Sequence, residues 1–268
     1  MRLIVRVARI TADDRDYGRR FARAVADLVQ DGHSLTVIHG EGTGVERFSD
    51  AKTTDAKTKE SGNGNGNGYH WNQAECARFT AAERENRALV ALLADAKVTS
   101  MGLRATDAGL LQLRKQCFAN DKTRFRVEAA RLDSRWLELI CSNQGVPVLS
   151  NFSSWAGGED HLIDPDHMAA VCASDWNADA LIYVTEENGV PGAHGGILRW
   201  LDIESNNGLQ AETLSDELRR RLEACAMALR RGVRRVKILP LSNVDCLPLF
   251  YVSPIVYGTE VIATLPRI

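Results

Sequence analysis

The chain has 268 residues, with 33 Lys and Arg against 35 Asp and Glu, a net charge of -2 and a pI near 6.3. That balance gives no global attraction for nucleic acid or anionic lipid. With 44% hydrophobic and 25% charged residues, the composition is that of a globular chain large enough to bury a substantial core, as one α/β domain or two lobes on a shared sheet.

The first residues, Leu3 to Val7, read as a buried strand. No apolar run approaches about 18 residues, so no membrane span is expected. Residues 16–30 have helical spacing, with Phe21, Val25, Leu28 and Val29 on one face and Asp31-Gly32 as the stop. Leu35 to His39 is the next strand, and the β-α-β order predicts a parallel sheet with right-handed crossovers. That strand runs into Gly40-Glu-Gly-Thr-Gly44. Glycines there permit positive φ and close approach of a ligand to main-chain amides. Residues 49–68 are polar and end in alternating Gly and Asn. Such a segment buries too little to offset its ordering entropy and is predicted to be a mobile loop.

Residues 80–94 read as a helix, with Thr80 and Glu83 spaced as a capping box. Further strands are predicted at 98–103, 125–129, 146–149, 180–185, 236–239 and 259–263, and further helices at 133–144, 164–176 and 215–231. Turns fall at 106–109 and 186–189. Arg219, Arg220, Arg221, Arg230, Arg231, Arg234 and Arg235 form a basic cluster, readable as a solvated helix face or as an anion site. Cys76, Cys117, Cys141, Cys172, Cys225 and Cys246 are scattered, without CxxC or zinc spacing. This usage suits a reducing compartment, and a cytoplasmic location is expected.

In order along nearly the whole chain, several segments resemble the amino acid kinase family. They are Val37-Ile-His-Gly-Glu-Gly42, Asn86-Arg-Ala-Leu-Val-Ala-Leu92, Met101-Gly-Leu-Arg-Ala-Thr-Asp-Ala-Gly-Leu110 and Gly145-Val-Pro-Val-Leu149, then Asp164-Pro-Asp166, Asn177-Ala-Asp-Ala-Leu-Ile-Tyr-Val-Thr185 and Leu222 to Leu239. The acetylglutamate kinase branch is the most similar. The resemblance implies a three-layer α/β/α sandwich with a mainly parallel sheet. It implies an N-terminal lobe over about 1–175 for an acyl amino acid and a C-terminal lobe over about 176–268 for ATP with magnesium. It also implies a homodimer or higher oligomer, with no nucleic-acid or membrane partner and no protein-held metal. In such a site catalysis is positioning and charge neutralisation on the transferred phosphoryl group.

Carried over position by position, the resemblance assigns Arg6, Asp166 and Arg221 to the chemistry, with arginine at both positions where the family has lysine. Arginine keeps the charge but has a larger, forked head. The family's glycines after the first strand are Ala8 and Arg9 here, and those preceding Arg221 are Asp216 and Glu217. The resemblance places substrate contacts at Gly40, Glu41, Gly42, His70, Leu162 and Asp164, and nucleotide contacts at Ala8, Thr185, Glu186 and Gly189. Glu41 stands where a third glycine is usual, and at ~4 Å from a phosphate charge it would repel by about 4 kcal/mol at an effective dielectric of ~20. His70 takes an arginine position, and Leu162 and Asp164 take asparagine positions. Asp166 reads as an organiser of the two cations or as a helix cap. These departures leave two functions open: an ATP-dependent kinase for the carboxylate of N-acetyl-L-glutamate or a related acyl amino acid, and a catalytically degenerate binding or scaffold protein.

Overall fold

Strands covered on both faces read as near-continuous apolar runs, and those of the central sheet do so here. The computed structural model describes residues 1–8, 15–40, 47–48, 73–118, 121–154, 160–192, 195–205, 214–249 and 257–263. The predicted loop at 49–68 lies outside them. In chain order, β1 (Arg2–Val7), α1 (Arg15–Gln30), β2 (Ser34–His39) and the short β3 (Arg47–Phe48) lead to α2 (Gln73–Asp95) and β4 (Ser100–Arg104). A long hairpin, β5 (Leu111–Phe118) and β6 (Asp121–Leu132), is followed by α3 (Arg135–Ser142) and β7 (Val146–Ser150). A small ribbon, β8 (Phe152–Ser154) with β9 (Asp160–Leu162), precedes α4 (Pro165–Asp175) and β10 (Ala180–Thr185). The remainder is β11 (Trp200–Asp202), α5 (Asp216–Arg230), β12 (Arg235–Pro240), a 3-10 segment (Leu241–Leu249) and β13 (Thr259–Ile262).

Eight strands form one sheet in the order β11-β13-β12-β10-β1-β2-β7-β4, parallel except where β12 meets β13. One face buries Phe21, Val25 and Leu28 of α1 with Leu89 and Leu93 of α2. The other buries α4, α5 and Leu137 of α3. The result is the expected three-layer α/β/α sandwich. α4 is apolar almost all round, and its stretch from Met168 to Ala173 is buried, as such a helix requires. β1 is central, flanked by β2 and β10. The chain leaves β1 through α1 on one face and reaches β10 through α4 on the other, an arrangement that opens a crevice at the strand C-termini.

Several local expectations need correction. α2 begins at Gln73, so Thr80 lies within the helix and caps nothing; Glu83 instead accepts from Arg104 Nε at 2.8 Å. β6 is far longer than the predicted 125–129 strand, and its partner β5 answers to no predicted element. Its run Leu111-Gln-Leu-Arg-Lys-Gln-Cys-Phe118 is too polar to announce a buried strand, because one face of the hairpin is exposed. None of the described helices is long and apolar enough to cross a membrane. Among the described cysteines, Cys172 and Cys225 are buried and Cys117 is exposed; none is in a disulfide.

Candidate functional site

The site is assembled from the C-terminal end of β1, the first turn of α4 and the first turns of α5. Pro165 stands at the start of α4, where its missing N–H costs nothing. Asp164 is the cap: its Oδ1 accepts the main-chain amides of Asp166 at 2.9 Å and His167 at 3.0 Å. The capping role open to Asp166 in the sequence therefore belongs to Asp164, and the Asp166 side chain is left to meet the two cations.

Arg6 Nε lies 2.6 Å from Asp166 Oδ1, and Arg221 donates through Nε to Asp166 Oδ2 at 3.0 Å. Arg6 is 3% exposed, Asp166 5% and Arg221 1%. The three residues assigned to the chemistry thus converge in one buried cluster. The Tyr183 hydroxyl, whose pKa burial pushes well up, donates to the main-chain carbonyl of Asp166 at 3.1 Å and steadies that turn. Burial opposes the charge on Arg221, but the carboxylates of Asp166, Glu187 and Glu217 outweigh it and raise its pKa above the ordinary arginine value.

Glu187 and Glu217 are partners of Arg221 that the sequence does not assign. Arg221 Nη1 donates to Glu187 Oε2 and Nη2 to Glu217 Oε1, each at 2.8 Å. All three guanidinium nitrogens of Arg221 therefore face a carboxylate. Glu217 and Arg221 are four residues apart on α5, a spacing that puts opposite charges side by side. That signal was present in the sequence. Glu187 carried no comparable signal, since its approach depends on the turn after β10.

The remaining predicted residues surround this cluster or lie elsewhere. Gly40 ends β2 at φ +144°, accepts from Arg6 Nη2 at 3.4 Å, and passes so close to Asn151 that a Cβ would fall 2.2 Å from Asn151 Oδ1. No side chain fits there, so the glycine identity of this position is explained by its φ and by Asn151. Glu41, Gly42 and His70 fall outside the described residues. Leu162 is buried in a small apolar cluster with Ala82 and Phe152, apart from the ion pairs. The Ala8 amide is engaged by the Val184 carbonyl at 2.7 Å. Thr185 is buried, and its hydroxyl donates to the Glu187 carbonyl at 3.1 Å, fixing the turn that carries Glu187. Glu186 is exposed. Gly189, at φ +126°, abuts Thr259 and Ile197, where a Cβ would come within 2.8 Å of both, so its glycine identity is explained by turn packing.

Beneath Gly40, His39 is buried, with Nε2 2.9 Å from the Asn86 side-chain nitrogen and Nδ1 3.3 Å from Glu85 Oε2. These partners from α2 hold the end of β2. Beside the ion-pair cluster, a cavity of about 210 Å³ is lined by Arg126, Glu128, Asp164, His167, Arg220 and Glu223, among others. Burial, reinforced by the Asp166 charge, raises the Asp164 pKa, and burial lowers that of His167. Of the basic cluster, Arg221 alone is buried among its described members. Arg230, Arg234 and Arg235 pair with Glu204, Asp179 and Glu260. Among the described residues no group of three or more His, Cys, Asp and Glu side chains is arranged to hold a metal ion.

Comparison with known proteins agrees with this fold. The amino acid kinase family pattern matches residues 10–240. The chain is 33% identical to an acetylglutamate kinase of Acidobacterium capsulatum, over 98% of this chain and all of that protein. It is 29% identical to an acetylglutamate kinase of Koribacter versatilis, over 99% of this chain and all of that protein. Among solved structures, N-acetylglutamate synthase from Neisseria gonorrhoeae, complexed with coenzyme A and N-acetyl-glutamate, superposes with a TM-score of 0.73 at 17% identity. That match spans 98% of this chain and 60% of the synthase, so this chain corresponds to part of that longer protein. On the family match and the full-length similarity, the chain belongs to the amino acid kinase family.

Proposed function

We propose that this protein transfers the γ-phosphoryl group of ATP to a carboxylate of N-acetyl-L-glutamate or a related acyl amino acid. The observation that supports this reading is the Asp166 carboxylate held between Arg6 and Arg221 at the C-terminal edge of the sheet. A carboxylate oxygen of the acceptor attacks the γ-phosphorus, the bond to the ADP oxygen breaks, and an acyl phosphate and ADP leave. The charges balance without a proton transfer or a covalent enzyme intermediate. Little is left for the protein except positioning and charge compensation. In this reading Asp166 orients the two guanidinium groups, and these neutralise charge on the moving phosphoryl group. Gly40 and Asp164 border the acyl amino acid, with residues 1–175 forming that lobe. Ala8, Thr185, Glu186 and Gly189 border the nucleotide, with residues 176–268 forming the other. Magnesium arrives as part of the nucleotide complex and supplies charge neutralisation on its phosphates. The protein works as a cytoplasmic homodimer.

The test is ADP release from Mg-ATP in the presence of N-acetylglutamate and of other acyl amino acids. Acceptor-dependent ADP supports the kinase. A second reading, a non-catalytic ligand-binding protein on the same fold, is favoured by one observation: every nitrogen of Arg221 already faces a carboxylate. Nucleotide binding without ADP release for any acceptor would replace the first reading with the second.

A further inference from the structure

The cluster around Arg221 holds more acid than its burial requires. Arg6 and Arg221 carry two positive charges, and Asp166, Glu187 and Glu217 carry three negative ones. Buried charges are stable only when paired, and one acid beyond Asp166 would have been enough for neutrality. The second acid leaves the cluster with a net negative charge at the place where a polyphosphate is expected to bind. The three carboxylates also differ in freedom. The Asp166 side chain is 7% exposed and is shared between two arginines, so it is fixed. The Glu187 and Glu217 side chains are 34% and 56% exposed, and among the described residues each forms its ion pair with Arg221. Both can turn outward into water, where their own charges are solvated, and the buried Arg221 charge they leave behind then calls for another anion.

We propose that Glu187 and Glu217 are specificity-determining residues that occupy Arg221 in place of phosphate oxygens and yield to a polyphosphate. The inference deepens the kinase reading and rests on it for the location of the phosphates. A carboxylate and a phosphoryl group offer the same guanidinium similar pairs of oxygens, so one replaces the other on the same donors. A ligand with one negative charge gains little by displacing two carboxylates, whereas a triphosphate replaces both. When both acids swing away, the cluster changes from a net charge of -1 to +1. The arrangement therefore selects for highly charged ligands and holds Arg221 in position before they arrive.

The experiment measures equilibrium binding of inorganic tripolyphosphate, without added metal, and of Mg-ATP to the full chain. It compares the unmodified protein with Glu187→Gln, Glu217→Gln and the double variant by calorimetry at fixed low salt. Each single variant is expected to bind tripolyphosphate several-fold more tightly, on the order of 3- to 10-fold, and the double variant about 30-fold or more. Adding Arg221→Gln to the double variant is expected to abolish the gain. Circular dichroism checks that each variant is folded. Unchanged or weaker tripolyphosphate binding in the double variant overturns the proposal, as does a gain that survives Arg221→Gln. So does a lower unfolding temperature with no gain in binding, the signature of a purely structural ion pair. Tighter binding with no ADP released for any acceptor keeps this proposal and removes the kinase reading. ADP release combined with weaker binding in the variants does the reverse.

Discussion

His167 is a residue whose charge state the fold constrains. It lines the cavity beside the ion-pair cluster, facing Glu128 on β6 and Asp164 at the start of its own helix, with Arg114 and Arg126 nearby on the hairpin. Burial is the largest influence and lowers its pKa; the two acids oppose this and the two arginines add to it. The folded protein therefore resists a proton that the unfolded chain accepts near the ordinary histidine value of about 6.5. The stability this residue contributes is present above that value and is lost as pH falls through the lowered pKa of the folded state. Urea unfolding at pH 7.5 and pH 5.5 should show a loss of stability on acidification that is smaller in His167→Gln. Equal losses in the two proteins would remove His167 as a cause. The cavity was not legible in the sequence, because it depends on how β6 and α5 pack against α4. Arg6, Asp166 and Arg221 were legible as positions through the resemblance to the family. That Arg221 would be enclosed by three acids was not, since Glu187 reaches it only through a turn held by Thr185.

At the scale of elements, α4 shows how one residue frees another. The helix needs an oxygen acceptor for its first amides, and Asp164 supplies it. Burial and the nearby Asp166 raise the Asp164 pKa, so the charge on Asp164 is itself a burden at neutral pH. Stability from this group is present at pH values below the ordinary carboxylate range and is lost as pH rises through its raised pKa. Asp164→Asn keeps an oxygen acceptor and drops the charge, and is expected to leave stability within about 0.5 kcal/mol of the parent. Asp164→Ala loses the acceptor and is expected to cost about 1 kcal/mol. Denaturant midpoints read the difference; an alanine variant as stable as the asparagine one would show that the cap contributes nothing. The pattern Asp-Pro-Asp made the helix start legible in the sequence. Which aspartate capped it was decided by packing, because only Asp166 meets both arginines. The start of α2 was misread for a similar reason: Thr80 and Glu83 have the spacing of a cap, but Gln73 begins the helix seven residues earlier.

For the whole molecule, the apolar strand runs made the layered fold legible, since a parallel sheet buries both of its faces. The order of the strands was not legible in the sequence, because it depends on which strands pair across the crossovers. β4 forms one edge of the sheet and exposes Met101, while Trp136 and Leu139 are exposed on α3. Leu137, between them, is in the core. The Trp136 indole N–H donates to the Ala108 carbonyl at 3.2 Å, leaving much of its ring in solvent. An open edge and exposed large apolar side chains are features that association covers. Light scattering at micromolar protein is expected to give about twice the 29.5 kDa chain mass. A mass of one chain at that concentration would reject the dimer.

The ladder between β1 and β10 has a mechanical implication. Leu3 to Val7 align with Ala180 to Val184 in unbroken parallel register, so the backbone ties the two sides of the crevice directly together. Swinging them apart as rigid jaws would tear that ladder, and the same applies to β1 against β2. Among the described residues, the turn after Thr185 and the leading turn of α5, with the long side chains they carry, border the crevice without belonging to that ladder.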